Sequence, residues 1–374
     1  MKKKTICITG QNGFVGSHLY NTLKLFEEKY IIKEFKNEFF NDSNVLDKII
    51  SECDTIIHLA ALNRHIDDKV IYETNIDLSK RLIDSLVRLN SNAQIIMSSS
   101  IQEDSNNYYG KSKKDSRNMF IELSKKKSNN FVGLVIQNVF GPFCSPNYNS
   151  FISTFCNKLI NENTPKIIED KTVSLIYVED LVEIIIDQIN NNHNNHEFTI
   201  DNLHNYKVSK ILNKLTNFKL SYIDCGIIPN LDNDFDLNLF NTFRSYIDYN
   251  KFFPVNYKLN SDKRGNFVEI GRFESGGQIS FSTTKKGIVR GNHFHRRKIE
   301  RFSVIKGKAL IQIRKIGTNE IIEFILDGNN PSYVDIPIWY THNIKNIGNE
   351  DLFTNFWINE SYNEKDPDTY FLEV

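Results

Sequence analysis

Gly10-Gln-Asn-Gly13-Phe-Val-Gly16 follows a short apolar run, Thr5-Ile-Cys-Ile-Thr9, and opens a helical pattern through Ser17-His-Leu-Tyr-Asn-Thr-Leu-Lys-Leu-Phe26. Strand, glycine turn and helix in that order form the context of a dinucleotide fingerprint. Small residues let the backbone approach a pyrophosphate, and the helix start offers unpaired N–H groups at the positive end of its dipole. Gly10, Gly13, Phe14, Val15 and Gly16 are therefore candidate cofactor-binding residues. Glycine strings of this kind also occur as plain turns, so the chain on either side has to agree.

It does. Thr55-Ile-Ile-His58-Leu-Ala-Ala61 and Gln94-Ile-Ile-Met-Ser-Ser-Ser100 read as buried parallel strands, the second with hydroxyls at its C-terminal end, where open α/β sheets place ligands. Tyr109-Gly-Lys-Ser-Lys113 follows. On a helix Tyr109 and Lys113 share a face, and a cation beside a phenol favours the phenolate, so Tyr109 is a candidate acid or base near neutral pH. Alone, the pair would be a surface Tyr and Lys on a polar helix. The end of the second strand, Ile31-Ile-Lys-Glu-Phe-Lys36, carries Lys33 and Lys36 where NAD users place an acid. Either can meet a 2′-phosphate, which points to NADPH, while Glu34 keeps NADH open.

A different pattern stands at the other end. Short alternating runs separated by glycines extend from Lys251, among them Gln278–Ser282, Glu300–Ile305, Ala309–Ile313, Glu320–Leu326, Tyr333–Ile336 and Leu352–Ile358. Their spacing predicts an all-β sandwich or barrel. Within them lies Gly287-x5-His293-x-His295-x4-Glu300-x6-Gly307, then Pro337-x-Trp339-x-x-His342-x3-Asn346. His293 and His295 alternate along one strand and face one cavity, with Glu300 and His342 able to converge on it. Three imidazoles and a carboxylate suit one divalent metal, Zn²⁺ first, with Ni²⁺, Mn²⁺ or Fe²⁺ open. Residues 190–249 between the two regions are polar and Asn/Asp-rich, with helical patches at Val208–Leu215 and Leu237–Tyr249. They read as the tail of the first domain and a connector.

The 374-residue length fits two domains, with 40% hydrophobic and 25% charged residues. Lys plus Arg and Asp plus Glu balance at 46 each, which argues against a nucleic-acid partner. No run approaches a membrane span, and the apolar stretch after Met1-Lys-Lys-Lys is too short for a secretory signal. Five scattered cysteines without a C-x-x-C pair read as reduced thiols of a cytoplasmic protein.

In order, Gly10/Gly13/Gly16, His58-Leu59-Ala60-Ala61, Asn75, Ser98-Ser-Ser100, Tyr109-x-x-x-Lys113, Asn138-Val-Phe-Gly-Pro142 and Leu175-Ile-Tyr-Val-Glu-Asp180 resemble the extended short-chain dehydrogenase/reductases. The resemblance implies that Tyr109 is the acid and that Lys113 binds the nicotinamide ribose. Ser100 would hold the substrate carbonyl, Asn75 would support Lys113 through the backbone or a water, and Leu59 and Ala60 would line the cofactor. Two departures stand out: Val135 replaces the usual Arg ahead of Asn138, and the Ser100–Tyr109 stretch is short. The histidine-bearing stretch resembles the first cupin motif, and the second survives in part, with Trp339 where Gly is usual. Asp262-Lys-Arg264-Gly-Asn-Phe267 and Ile288-Val-Arg290-Gly-Asn-His293 are similar to metal-free deoxysugar 3,5-epimerases, in which that His is a base. His293 is thus claimed as metal ligand or as base. If it is a ligand, Tyr340 or a metal-bound water is left as base.

The whole chain resembles the bifunctional capsular-polysaccharide enzymes of the UDP-N-acetyl-L-fucosamine pathway, an extended reductase fused to a cupin. The expected architecture is an α/β Rossmann-type doubly wound parallel sheet over 1–250, followed by an all-β cupin (jelly-roll) domain over 251–374. The resemblance implies a homodimer acting on a UDP-linked 4-keto-6-deoxy-N-acetylhexosamine, with C3 epimerisation followed by C4 reduction. It also marks Asn138, Asn147 and Asn149 as substrate contacts.

Overall fold

The structure, a computed structural model, describes residues 2–127, 129–201 and 203–374. It divides into two compact units: residues through Thr154 with Ile167–Val208, and Phe155–Lys166 with Ser209–Val374.

The first unit alternates strands and helices: β1 (Lys4–Thr9), α1 (Phe14–Lys24), β2 (Tyr30–Lys33), α2 (Ser43–Ser51), β3 (Thr55–His58), α3 (Asp68–Arg88), β4 (Gln94–Ser100), α4 (Tyr108–Lys127) and β5 (Phe131–Ile136). After β6 (Asn138–Phe140) and α5 (Phe151–Ile160) come β7 (Thr172–Tyr177), α6 (Val178–Asn191), β8 (Asn195–Thr199) and β9 (His204–Lys207). Six strands form a parallel sheet in the order β2-β1-β3-β4-β5-β8, and β6-β7-β9 form a smaller one. Parallel strands covered on both faces need continuous apolar runs. Ile6, Cys7, Ile8, Ile56, Ile57, Ile95 and Ile96 are accordingly sealed from solvent. Alternate strand residues feed two cores: Ile6, Ile8, Ile57 and Ile96 pack with α1 and α6, and Cys7, Ile56, Ile95 and Met97 with α2, α3 and α4. That is the expected doubly wound sheet. Its order reverses between β1 and β3, the switch point where such sheets bind ligands. The strand β8 has no apolar run to announce it; Asn195–Thr199 alternates exposed and half-buried at the sheet edge.

In the second unit α7 (Val208–Phe218) runs into a π-helical turn at Lys219–Asp224, then β10 (Ile227–Ile228), α8 (Asp234–Arg244), α9 (Tyr249–Phe252), β11 (Val255–Asn256), β12 (Leu259–Asp262), β13 (Gly265–Val268) and β14 (Arg272–Phe273). The longer strands follow as β15 (Gln278–Thr284), β16 (Val289–Phe294), β17 (Glu300–Lys306), β18 (Lys308–Lys315), β19 (Ile321–Asp327), β20 (Ser332–Ile336), β21 (Tyr340–Asn346) and β22 (Leu352–Ile358), with a short β23 (Tyr370–Phe371) near the end. Two five-stranded antiparallel sheets result, β11-β20-β17-β22-β15 and β19-β18-β21-β16-β23.

The compact units do not divide at the expected 250/251 boundary, because residues 209–250 pack on the β-sheets. The Tyr222 hydroxyl donates to Asp335 Oδ2 at 2.8 Å, Arg244 Nη2 to the Ile336 carbonyl at 3.1 Å, and Asn241 Nδ2 to the Arg297 carbonyl at 3.1 Å. The second helical patch is also interrupted, with Ser245 to Asp248 separating α8 from α9.

Candidate functional site

In the first unit the glycine turn joins β1 to α1 at the switch point. Gly10 has φ +75°, and a Cβ there would lie 2.8 Å from the Ala60 amide nitrogen, so the turn sits directly on the Leu59–Ala60 backbone after β3. A Cβ on Gly16 would come 2.2 Å from the Gly10 carbonyl. Helix α1 begins at Phe14 with neither a side-chain cap nor an acidic residue in its first turn. The N–H groups at this helix start are therefore uncapped by a side chain, the condition for holding an anion there. Gln11 Oε1 accepts from Phe35 N at 3.3 Å, tying the turn to the end of β2. There the two basic candidates part: Lys33 pairs with Glu52, whereas Lys36 is exposed beside Glu34. Lys33 would have to leave Glu52 to meet a 2′-phosphate, whereas Lys36 would not.

The proton-transfer candidates lie between β4 and α4. Lys113 Nζ donates to the Ser98 carbonyl at 2.9 Å and to Ser98 Oγ at 3.3 Å, and stands 5.8 Å from the Tyr109 ring centroid. Burial lowers the Lys113 ammonium to about 8. The expected pull toward phenolate is reversed at Tyr109: burial, with Tyr148 adding to it, pushes the phenol up to about 12. Tyr109 keeps its proton at neutral pH, the state a proton donor requires. Asn75 accepts from Leu62 N at 2.7 Å and donates to Ser112 Oγ at 2.9 Å. Ser112 Oγ in turn donates to the Tyr109 carbonyl at 2.7 Å. Asn75 thus steadies the first turn of α4 through Ser112, not through Lys113 itself.

The short Ser100–Tyr109 segment is a 3₁₀ turn, Ile101–Asp104, in which Ser100 Oγ accepts from Gln102 N at 3.2 Å. Two residues missed in the sequence hold it. Glu103 and Arg117 are nearly sealed from solvent and joined at 2.6 Å, and Glu103 Oε1 also accepts from the Ser99 hydroxyl. No periodicity marks a buried pair of opposite charges. Asn147 and Asn149 lie in an exposed turn around Tyr148, whose phenol is near enough to raise that of Tyr109. Asn138 is also exposed, its Nδ2 donating to the Ser174 carbonyl at 3.1 Å.

His58, at the end of β3, is held by Thr9 Oγ1 at 2.8 Å and Ser79 Oγ at 3.3 Å. Burial, with the Lys113 charge adding to it, lowers His58 from 6.5 to about 3. Below its ordinary pKa the unfolded chain binds a proton that the folded one refuses, so stability falls as pH drops from 6.5 toward 3. A His58→Gln chain is expected to lose less, by up to ~1.4 kcal/mol per pH unit. Urea unfolding at a series of pH values checks this; parallel acid slopes would refute it.

In the second unit His293, His295, Glu300 and His342 each offer a ligand atom, all within 4.8 Å of one another. His293 and His342 are paired across β16 and β21, and Glu300 begins β17 of the other sheet. A bulge at Gly291 and Asn292 (φ +101° and +58°) turns His293 inward. Glu300 Oε2 lies 3.3 Å from His295 Nε2 and 3.0 Å from His342 Nε2. The opposite ring nitrogens meet carbonyls, His295 Nδ1 with Asp368 at 2.5 Å and His342 Nδ1 with Tyr340 at 3.3 Å. A carbonyl only accepts, so each Nδ1 carries a proton, and each Nε2 is the ring atom left facing Glu300. Those Nε2 atoms and Glu300 Oε2 are buried without a well-formed hydrogen bond. Burial opposes ionisation of Glu300, yet His295 and His342 hold its carboxyl well below the ordinary range. Burial and the neighbouring imidazoles lower His293 to about 4. The donor set fits a divalent cation.

A cavity of about 280 Å³ adjoins the cluster, lined by His293, His295, Glu300, Lys298, Tyr362 and Thr369 among others. Trp339 has φ +60°, a conformation that favours Gly, and its backbone N–H donates to the His295 carbonyl at 2.8 Å. Among the described residues no helix is long and apolar enough to cross a membrane.

Residues 6–201 match the NAD dependent epimerase/dehydratase family, and residues 260–370 match a polysaccharide biosynthesis C-terminal domain. The chain is 30% identical to a UDP-2-acetamido-2,6-beta-L-arabino-hexul-4-ose reductase of Pseudomonas aeruginosa over 99% of this chain and 98% of that one. It resembles the crystal structure of the capsular polysaccharide assembling protein CapF from Staphylococcus aureus, with TM-score 0.63, 34% identity and coverage of 99% and 100%. A UDP-N-acetylglucosamine 4-epimerase from Methanobrevibacter ruminantium shares the fold at TM-score 0.55 and 21% identity, over 66% of this chain and 99% of that one.

Proposed function

Because the chain belongs to the NAD dependent epimerase/dehydratase family, we propose that it is a bifunctional sugar-nucleotide enzyme. Its second unit, read as a cupin, epimerises C3 of UDP-2-acetamido-2,6-dideoxy-β-L-arabino-hex-4-ulose. Its first unit then reduces C4 to give UDP-2-acetamido-2,6-dideoxy-β-L-talose. The observation that carries this reading is the coexistence, in one chain, of Tyr109 beside Lys113 and a cluster of three histidines and a glutamate opening on a cavity. The full-length likeness to a reductase of that 4-ketose supports the substrate.

The Gly10–Gly16 turn would hold NADPH with Lys36 at the 2′-phosphate, and the bound cofactor would supply a hydride for C4. Ser100 holds the carbonyl, Lys113 the nicotinamide ribose, and Tyr109 gives its proton to the oxygen as it gains charge. Asn138, Asn147 and Asn149 contact the sugar nucleotide. His293, His295, Glu300 and His342 would hold a divalent metal, Zn²⁺ by its donors, which would supply Lewis-acid polarisation of the ketone, with Tyr340 or a metal-bound water taking the C3 proton and returning it on the other face. Reduction draws a reversible epimerisation forward. The enzyme acts in the cytoplasm as a homodimer in capsule synthesis.

Proton NMR of the 4-keto sugar in D₂O without NADPH tests the two-step reading. The wild-type chain is expected to erase the C3 proton signal and a His293→Ala chain to leave it. Exchange no faster than buffer in both would reduce the protein to a keto-sugar reductase with a structural β-unit.

A further inference from the structure

We propose that Asp368 is a positioning residue of the histidine cluster, and that the C-terminal segment carrying it is a built part of that site. The inference rests on the metal-site reading above. Two of the four ligands, His295 and Glu300, are joined by a loop with no regular ladder of its own. Three consecutive amides of that loop need acceptors, and one side chain supplies them all. Arg296 N donates to Asp368 Oδ1 at 3.1 Å, and Arg297 N and Lys298 N donate to Asp368 Oδ2 at 3.0 and 3.1 Å. The backbone carbonyl of the same residue takes the Nδ1 proton of His295 at 2.5 Å.

Asp368 is only 4% exposed, and its φ of +40° is one that Asp tolerates better than most side chains. A single buried residue therefore sets the loop's path and the tautomer of one ligand. It freezes the direction in which His295 offers its lone pair, the task that second partners of ligating histidines perform.

The surrounding tail is fastened to the same place. Lys298 Nζ donates to the Pro367 carbonyl at 2.7 Å, and Arg297 meets Asp366 at 2.9 Å. Strand β23 pairs with β16 in a register that sets Phe371 opposite His293 and Tyr370 opposite Phe294. Thr369 reaches the cavity wall. A tail serving only to cover apolar surface would have no use for a carboxylate turned onto three amides.

The test uses the full chain and Zn²⁺ or Co²⁺ in competition with a chromophoric chelator. Asp368→Ala is expected to weaken metal binding about 10–100-fold and to alter the Co²⁺ d–d spectrum. Asp368→Asn keeps the carbonyl and one acceptor but turns an NH₂ toward donors, so it should fall between. NADPH binding and far-UV circular dichroism report whether each variant is folded. Wild-type affinity in a folded Asp368→Ala, or in Asp368→Asn if the first does not fold, overturns the proposal. A wild-type chain that holds no metal overturns both this and the metal-site reading. Weakened binding in the variants alongside a wild type with no C3 exchange upholds Asp368 and removes only the epimerase.

Discussion

A Tyr109→Phe chain is expected to lose NADPH oxidation by about 10²–10⁴-fold while still exchanging the C3 proton of the substrate. The phenol is pushed up to about 12 by burial first and by Tyr148 second, so at neutral pH it is a reservoir of one proton and not a base. In the proposed reduction, hydride arriving at C4 would leave a charged oxygen whose basicity far exceeds that of a ketone. Only then does transfer from a phenol of this strength become downhill. Phenylalanine preserves the ring and its contacts, so cofactor binding should persist, and stopped-flow absorbance at the nicotinamide band separates binding from turnover. Turnover within tenfold of wild type would show that another group delivers the proton. Simultaneous loss of C3 exchange would show that the two steps share one site.

An Asp335→Ala chain is expected to lose about 3–5 kcal/mol of stability in the second unit. Asp335 is fully buried and accepts from Arg301 Nε and Nη2 at 2.7 and 2.8 Å, and from the Tyr222 hydroxyl at 2.8 Å. Arg301 also stacks 3.8 Å from the Tyr333 ring centroid and donates to the Gly226 carbonyl at 3.2 Å. Removing the carboxylate strands a guanidinium and a hydroxyl away from water, a cost far above the net worth of the intact pair. Both tryptophans of the chain, Trp339 and Trp357, lie in this unit and are buried, so their fluorescence follows its urea unfolding. A loss below about 1 kcal/mol would mean that water reaches Arg301 on relaxation. Pairing Asp335→Leu with Arg301→Met should recover much of the loss, since apolar replacement of a whole buried pair is often near neutral.

Much of this was legible in the residues because it rests on short-range pattern. Apolar runs gave β1, β3 and β4, and alternation gave six of the later strands to within a residue or two. The Gly-x-x-Gly-x-x-Gly turn marks a backbone approach that any Cβ would block. The cluster of His293, His295, Glu300 and His342 was legible because strand alternation and chain spacing together aim them at one point. What escaped depends on partners distant in sequence. Residues 209–250 look like a connector until Tyr222 meets Asp335. Glu103 and Arg117 look like surface charges until burial makes them a pair. Asp368 has no periodic neighbours at all, and its use depends on a loop some seventy residues earlier. The balance at Tyr109 escaped for a related reason: spacing shows that a cation is near, but burial, which pushes the phenol up, appears only in three dimensions.

Gly110 touches the Gln102 carbonyl so closely that a Cβ would come within 1.8 Å of it. Backbone rests on backbone there, so position 110 takes no side chain unless the Ile101–Asp104 turn or the start of α4 moves. In the proposed reductase, drift at this glycine would displace Tyr109, its immediate neighbour, without altering any residue that touches the sugar.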